Sequence, residues 1–330
     1  MKQRICHLID DTNPGGVMRF LDFIEHSKTM TNLAEHREVT IKRGMLSAPN
    51  IRADVIVSHL SVCWRNLPFF LTLRAVNPAT PIVHFEHSYT LGFFTAHVSS
   101  PTRFKALLRT TYAMFDQVIA VSYAQARWLH GSKLVPSRKL AIIKPCVDLS
   151  AFLALKPAIQ KPIKHVGAVG RLNSIKGFDI LISTFLTPGF EDVELHVYGE
   201  GSERSQLESL AGDAKNIHFH GHVSDASTIM EAIDAVAMPS LYEAYGLVAL
   251  EARAAGRPLL VSGVDGLQDH VDNGAYKVQE QTVEAWADAL HNLIDAPDSA
   301  RILRSRKIAA NAQKRFHQNW QSLMRTMARI

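Results

Sequence analysis

The chain has 330 residues, 47% apolar and 20% charged, with a net charge of +5, the balance of a soluble globular protein long enough for two domains. Its three cysteines, Cys6, Cys63 and Cys146, are scattered and in no metal-ligand spacing, which excludes a disulfide scaffold and fits a reducing compartment. No apolar run approaches the roughly 18 residues of a membrane span, and the opening MKQRICHLIDD lacks the apolar stretch of a signal peptide, so a cytoplasmic protein is expected.

The charge is uneven. Residues 1–150 carry 18 Lys and Arg against 10 Asp and Glu, whereas residues 151–330 carry 18 against 21. A basic first half suits an anionic partner. Its basic residues are dispersed and include no RNA or DNA motif, so nucleic acid is not the expected partner.

In chain order, Arg4–Ile9, Glu38–Ile41, Asp54–Ser58, Pro81–Phe85, Gln117–Val121 and Lys139–Ile143 read as strands. Helical patterns at Gly16–His26, Trp64–Val76, Pro101–Phe115 and Tyr123–His130 lie between them. The alternation then restarts. Strands are predicted at His165–Gly170, Val193–Tyr198, Ile217–His220, Ala235–Met238, Pro258–Val261 and Tyr276–Val278. Helices are predicted at Lys176–Leu186, Glu203–Ala211, Ala226–Ile233, Leu247–Ala255 and Thr282–Ile294. From about Ala300 the pattern is helical, with Phe316, Trp320, Leu323 and Met327 forming one apolar face. Such alternation predicts an α/β fold of two doubly wound domains, each a parallel sheet covered by helices. The break is expected at Ser150–Lys164, where two prolines interrupt the pattern. Sheets of this kind bind ligands beyond the carboxyl ends of their strands, so a cleft between the domains is the expected active site.

The strongest local signal is PSLYEAYGLVALEARAAG, Pro239–Gly256. Glu243 lies in a loop just before a helix opened by Gly246, and Glu251 lies about one turn inside it. The free N–H groups of that helix start, at Gly246, Leu247 and Val248, suit a phosphate, while the carboxylates suit sugar hydroxyls. After the strand ending at Val169 comes Gly170-Arg171, followed by Lys176-Gly177. Arg171 offers a planar fork and Lys176 a point charge, and the two can converge on one diphosphate.

Three weaker features remain. Asn13-Pro14-Gly15-Gly16-Val17 reads as a loop allowing close approach of a ligand, or as a tight turn. Tyr198-Gly199-Glu200-Gly201 lacks the third glycine of a dinucleotide fingerprint and is read as a loop bordering a base, or as an ordinary turn. In IVHFEHSY, strand alternation puts His84 and Glu86 on one side, without His87. The two histidines are expected to hydrogen-bond in the cleft rather than hold a metal. Finally, SPTRFKALLRTTYAMF interleaves Arg103, Lys105 and Arg109 with apolar residues, either as a lipid-touching helix or as a half-buried one with a solvated basic edge.

Together these segments resemble the family 4 retaining glycosyltransferases, of the two-domain GT-B fold. The resemblance rests on the E-x7-E motif from Glu243 to Glu251, the loop Gly170-Arg171 to Lys176-Gly177, and the first glycine pair, Gly15-Gly16. DQVIAVSYAQARWL, GHVSD, GLQDHVDNG and the tail RFHQNW are also similar to family segments. At the domain junction the family's Asn-Gly-Val-Asp turn is replaced by Pro145-Cys146-Val147-Asp148.

The resemblance implies an N-terminal acceptor-side domain, residues 1–150, completed by a helix at 312–330 that crosses back to it. It implies a nucleotide-sugar domain at 151–311. It implies transfer of a sugar from a UDP- or GDP-linked donor to a glycan or lipid-linked acceptor, in surface polysaccharide or lipopolysaccharide synthesis, with peripheral contact at an anionic inner membrane face. Catalytic roles fall to Glu243, His87, Arg171 and Lys176. Donor binding falls to Gly15, Gly16, Arg171, Lys176, Gly199, Glu243, Gly246, Leu247, Val248 and Glu251. No cofactor or metal is implied, and the sequence has no Asp-x-Asp metal motif. The alternative is a non-catalytic partner subunit that kept the fold and binds a nucleotide sugar.

Overall fold

The computed structural model describes residues 2–13, 15–159 and 162–328. Pro14 of the first glycine loop, and Gln160 and Lys161 of the expected junction, lie outside the described residues. Internal contacts divide the chain into two units, Met1–Asp148 with Gln313–Ile330, and Leu149–Ala312.

The first unit is built on strands β1 (Gln3–Ile9), β2 (Ala34–Thr40), β3 (Val55–Ser58), β4 (Ile82–Glu86), β5 (Gln117–Ala120) and β6 (Leu140–Ile142). They form one sheet in the order β2-β1-β3-β4-β5-β6, every pairing parallel. The residues of β3, β4 and β5 are all buried, as expected of central parallel strands covered on both faces. β2 starts four residues earlier than its sequence signal, at Ala34, because the polar run Ala34–Arg37 is an edge strand pairing only with β1. Edge position, not apolarity, makes it a strand.

The helix Ala312–Met327 belongs to this unit and buries Phe316, Trp320, Leu323, Met324 and Met327. The apolar stripe predicted for the tail is thereby matched to a core. Phe316 packs edge-on against Phe20 at 5.5 Å, and Trp320 stacks on His7 at 6.0 Å and on Phe85 at 5.8 Å. Helix Pro101–Ala113 turns Leu107, Leu108, Thr111 and Tyr112 inward. Its cations lie along other side chains or carbonyls: Arg103 over Trp64, Lys105 over Phe94, and Arg109 donating to the Ser132 and Lys133 carbonyls. The helix is half-buried, with its basic residues along the outer edge.

The second unit comprises β7 (His165–Val169), β8 (Glu194–Tyr198), β9 (Ile217–Gly221), β10 (Ala235–Met238), β11 (Leu259–Val261) and β12 (Tyr276–Lys277). Their order is β12-β11-β10-β7-β8-β9, again all parallel. The strand order reverses between β10 and β7, which therefore flank the topological switch point where doubly wound sheets open a crevice. The helix expected from Lys176 begins only at Phe178. Gly177 takes a left-handed conformation, φ 64°, that a right-handed helix cannot contain, and Ser174–Lys176 form a separate 3-10 turn. Phe152, Ala158 and Ile163, within the expected linker, are buried.

Candidate active site

Both charged loops of the second unit leave the carboxyl ends of the two switch-point strands. β7 runs into Gly170-Arg171, and β10 into Pro239–Gly246. Backbone contacts tie the loops together. Leu241 N–H donates to the Ile175 carbonyl at 2.8 Å. A Cβ on Gly177 would lie 2.3 Å from the Pro239 carbonyl oxygen, closer than any side chain tolerates, so only glycine permits this approach. The result is an ion pair between residues 67 apart in sequence, Lys176 Nζ to Glu243 Oε2 at 2.5 Å. Both side chains are largely buried, at 22% and 18% exposed. Arg171 is exposed beside this pair's loop.

Glu243 is held from its other side as well. Gly266 N–H donates to the Glu243 carbonyl at 2.8 Å, and a Cβ on Gly266 would meet the Ala244 carbonyl oxygen at 2.0 Å. His270 Nε2 lies 3.1 Å from the Tyr245 carbonyl. Gly246 then turns the chain at φ 88° into helix Leu247–Ala254, whose start has no side-chain cap. The N–H groups of Leu247 and Val248 thus head an uncapped helix, where the macrodipole favours an anion. Glu251, the fifth residue of that helix, is fully buried.

Gly199 and Gly201 have an internal role that the fingerprint comparison missed. A Cβ at Gly199 would lie 1.9 Å from the Gly170 carbonyl oxygen, and one at Gly201 would lie 2.1 Å from the Leu172 carbonyl oxygen. Gly170 N–H donates to the Tyr198 carbonyl at 3.0 Å and Leu172 N–H to the Glu200 carbonyl at 2.9 Å. The loops after β7 and β8 are therefore zipped together, and the glycines set the position of Arg171 by letting backbones touch.

In the first unit, Gly15 precedes helix Gly16–His26 with φ 177°, an extended conformation open to any residue. The backbone angle there does not demand glycine. Phe20 of the same helix packs against His87 at 5.9 Å. His87 Nε2 lies 2.9 Å from His59 Nδ1, His59 Nε2 lies 3.0 Å from His7 Nδ1, and His7 Nε2 lies 3.0 Å from His36 Nδ1. Four imidazoles thus form a hydrogen-bonded row across neighbouring strands. Burial drives their basicity down, to about 4 for His87, about 3 for His7, about 4 for His36 and well below the ordinary value for His59. His87 is a neutral hydrogen-bonding group at neutral pH. His7, His36 and His59 were not singled out in the sequence. Each of the strands β1 to β4, or its end, contributes one histidine to the row, and only sheet order and register bring the four into line.

His84 corrects an expectation. It does not line an open site: it is 1% exposed, stacks on Phe115 at 4.8 Å and bonds to Ser58 and Glu86. Glu86 lies on the same side, as alternation predicted, and accepts from Tyr112 Oη at 2.5 Å and from the Ser88 and Tyr89 N–H groups. Burial alone would raise its pKa, but hydrogen bonds and charge from His84, with Tyr112 and the Tyr89 N–H, hold it below the usual carboxylate range. This carboxylate fixes the loop carrying His87.

Comparison with known proteins agrees with this layout. Residues 163–296 match the family model of glycosyl transferases group 1, and residues 38–151 match that of glycosyltransferase family 4. A D-inositol 3-phosphate glycosyltransferase of Corynebacterium urealyticum is 33% identical over 186 residues, covering 48% of this chain and 44% of that protein. Its counterpart from Mycobacterium avium is 31% identical over 217 residues, covering 60% and 50%. The chain matches about half the length of these curated relatives. Among solved structures, Anabaena Alr3699/HepE in complex with UDP and glucose superposes with a TM-score of 0.74 at 17% identity, over 98% of this chain and 99% of that one. WaaG, a glycosyltransferase involved in lipopolysaccharide biosynthesis, gives 0.67 at 20% identity, over 93% and 95%. At these identities the likeness establishes the GT-B fold.

Proposed function

For a chain that belongs to the glycosyltransferases of group 1 and family 4, we propose metal-independent transfer of a sugar, with retention, from a nucleoside diphosphate sugar to a glycan or lipid-linked acceptor. The observation that carries this reading is the Lys176–Glu243 pair beside Arg171 and the uncapped start of helix Leu247–Ala254, all following the switch-point strands. Such a site offers cations and N–H dipoles for a diphosphate, and carboxylates for hydroxyls.

On this proposal Arg171 and Lys176 bind the diphosphate and take up the charge that develops as it leaves, joined by the N–H groups of Gly246, Leu247 and Val248. Glu243 accepts hydrogen bonds from the donor sugar and Glu251 from the ribose. Gly199 holds the Arg171 loop in place. Gly15, Gly16 and His87 supply sugar contacts from the first unit. Two cations and a helix dipole do what a divalent ion does in other transferases. UDP is the favoured nucleotide, because Alr3699/HepE has been crystallised with UDP, glucose and UDP-glucose. An acceptor in surface polysaccharide or lipopolysaccharide synthesis is favoured by the likeness to WaaG and by the basic first half of the sequence. Peripheral contact with an anionic membrane is part of the same proposal; no helix among the described residues is long and apolar enough to cross a membrane.

The test is a thermal-shift comparison of UDP-, GDP-, ADP- and CMP-sugars, followed by donor hydrolysis or transfer with the best binder. Activity is expected to fall sharply in Lys176→Ala and Glu251→Gln. Wild-type rates in both variants overturn the assignment of these residues. Donor binding with no turnover toward any acceptor identifies a non-catalytic binding subunit instead.

A further inference from the structure

A second cluster of ligating side chains lies at the opposite end of the same sheet. β8 reads Glu194-Leu195-His196-Val197-Tyr198, and β9 reads Ile217-His218-Phe219-His220-Gly221. The two-residue period of a strand puts Glu194 and His196 on one face of β8, and His218 and His220 on one face of β9. Register then lines them up: His165 of β7 is opposite Glu194, and His196 is opposite His218.

Three of these groups converge. His165 Nδ1 is 3.0 Å from His196 Nε2 and 3.3 Å from Glu194 Oε2, and His196 Nε2 is 3.2 Å from that same oxygen. All three edges of the triangle have thus nearly the same length. Donors bound to one zinc ion at 2.0–2.1 Å in a tetrahedron are about 3.3 Å apart. The triangle therefore has the size of one face of such a tetrahedron, with a point roughly 2.0 Å from each donor lying just off its plane.

Two further observations favour a metal. His196 turns its other nitrogen, Nδ1, to His220 Nε2 at 2.9 Å, the outer hydrogen bond that fixes the tautomer of a ligating imidazole. His218 Nε2 lies 3.5 Å from Glu194 Oε2 and is buried without a hydrogen-bond partner, beside the place of a fourth ligand. The side chains of His165 and Glu194 are 40% and 44% exposed. They border a surface depression shared with Lys164, Glu191, Asp192 and Lys215, which leaves an entry path for an ion.

We propose that His165, Glu194 and His196 form a zinc site of three protein ligands, with the fourth position open beside His218. Imidazole nitrogens with one carboxylate suit zinc over magnesium or calcium, which prefer oxygen donors throughout. The site is separate from the candidate active site. It lies toward the amino ends of β7 and β8, while Arg171 follows the carboxyl end of β7; five residues of strand span about 16 Å. Its role is to clamp β7 to β8, the strands whose loops carry Gly170, Arg171 and Gly199.

The experiment is titration of the metal-free full chain with zinc ion by calorimetry, and with cobalt(II) by absorption in the visible range. One ion per chain is expected, with an intense tetrahedral cobalt spectrum that zinc abolishes, and a saturable rise in Tm. His196→Ala and His165→Gln should abolish both the spectrum and the Tm rise. Glu194→Gln, the more conservative change, should weaken binding while the fold is retained. His220→Gln should weaken affinity about 10- to 100-fold with stoichiometry unchanged. His130→Gln, far along the sequence from these strands, should leave binding as in the wild type. Zinc or cobalt binding that persists unchanged in His196→Ala and Glu194→Gln overturns the proposal. So does binding only at millimolar metal. Metal binding and nucleotide-sugar binding are measured separately, so failure of either reading leaves the other intact.

Discussion

Lys176 Nζ lies 2.5 Å from Glu243 Oε2, so each member of this pair balances the charge of the other. On the proposed function, a diphosphate would compete with Glu243 for Lys176, and a sugar hydroxyl would compete with Lys176 for Glu243. A donor carrying both parts would then satisfy both residues at once, whereas a free nucleoside diphosphate would leave Glu243 without its cation.

This relationship predicts opposite effects on two ligands. Glu243→Gln should leave UDP affinity unchanged or tighter, because Lys176 is released, while transfer from the sugar donor falls. Lys176→Ala should weaken both, by about 10- to 100-fold, for loss of a charged hydrogen bond of about 1.5–3 kcal/mol. Calorimetry with UDP and with the intact donor separates the two. Equal losses in both variants for both ligands would show that the pair acts only as a structural tie.

Gly199→Ala should damage the site without touching any charged residue. Its Cβ would fall 1.9 Å from the Gly170 carbonyl oxygen, forcing apart the loops that position Arg171. The expected cost is about 1–3 kcal/mol of stability, with weakened donor binding. Gly131→Ala is the control, since nothing lies within 4 Å of a Cβ there. Urea unfolding of the two variants and wild type provides the comparison.

Acidification should unfold the first unit through its histidine row. His7, His36, His59 and His87 have lowered pKa values in the fold because burial disfavours the imidazolium. Below about 6.5 the unfolded chain takes up protons that the folded chain refuses, so stability is lost as pH falls from 6.5 toward about 4. Each imidazole that stays neutral contributes a slope of about 1.4 kcal/mol per pH unit. Glu86, which bonds to His84 next to the row, partly offsets the effect at His87. Urea midpoints between pH 7 and 5, followed by tryptophan fluorescence, should fall steeply. A flat profile would mean that the folded row takes up protons as readily as the unfolded chain does.

Trp320→Ala should destabilise the first unit by about 3–5 kcal/mol, the range for removing a fully buried aromatic side chain. Trp320 stacks on His7 and Phe85 and packs against Phe316. Leu303→Ala, an exposed residue, should change stability by no more than about 0.5 kcal/mol. Calorimetric unfolding of the two variants measures the contrast.

Period and punctuation in the sequence determined most of what is local. The runs of β3 to β5 read as buried strands, Gly246 as the opening of a helix, Phe316 to Met327 as one apolar face, and Glu243 and Glu251 as flanking a helix start. Each of these features depends on residues within a few positions of one another. The polar first half of β2, Ala34–Arg37, carries no sequence signal of its own, since its partner β1 is remote in sequence. The helical pattern runs through Gly177, because the Pro239 carbonyl that leaves no room for a side chain there lies 62 residues away. Tertiary structure alone decided that Lys176 meets Glu243, that Gly199 and Gly201 serve loop packing, that His84 is a core residue, and that His7, His36, His59 and His87 form one row. It also brought His165, Glu194 and His196 to a common point. Each of these depends on strand order and register, which are set by burial summed over the whole sheet and leave no periodic mark on any single segment.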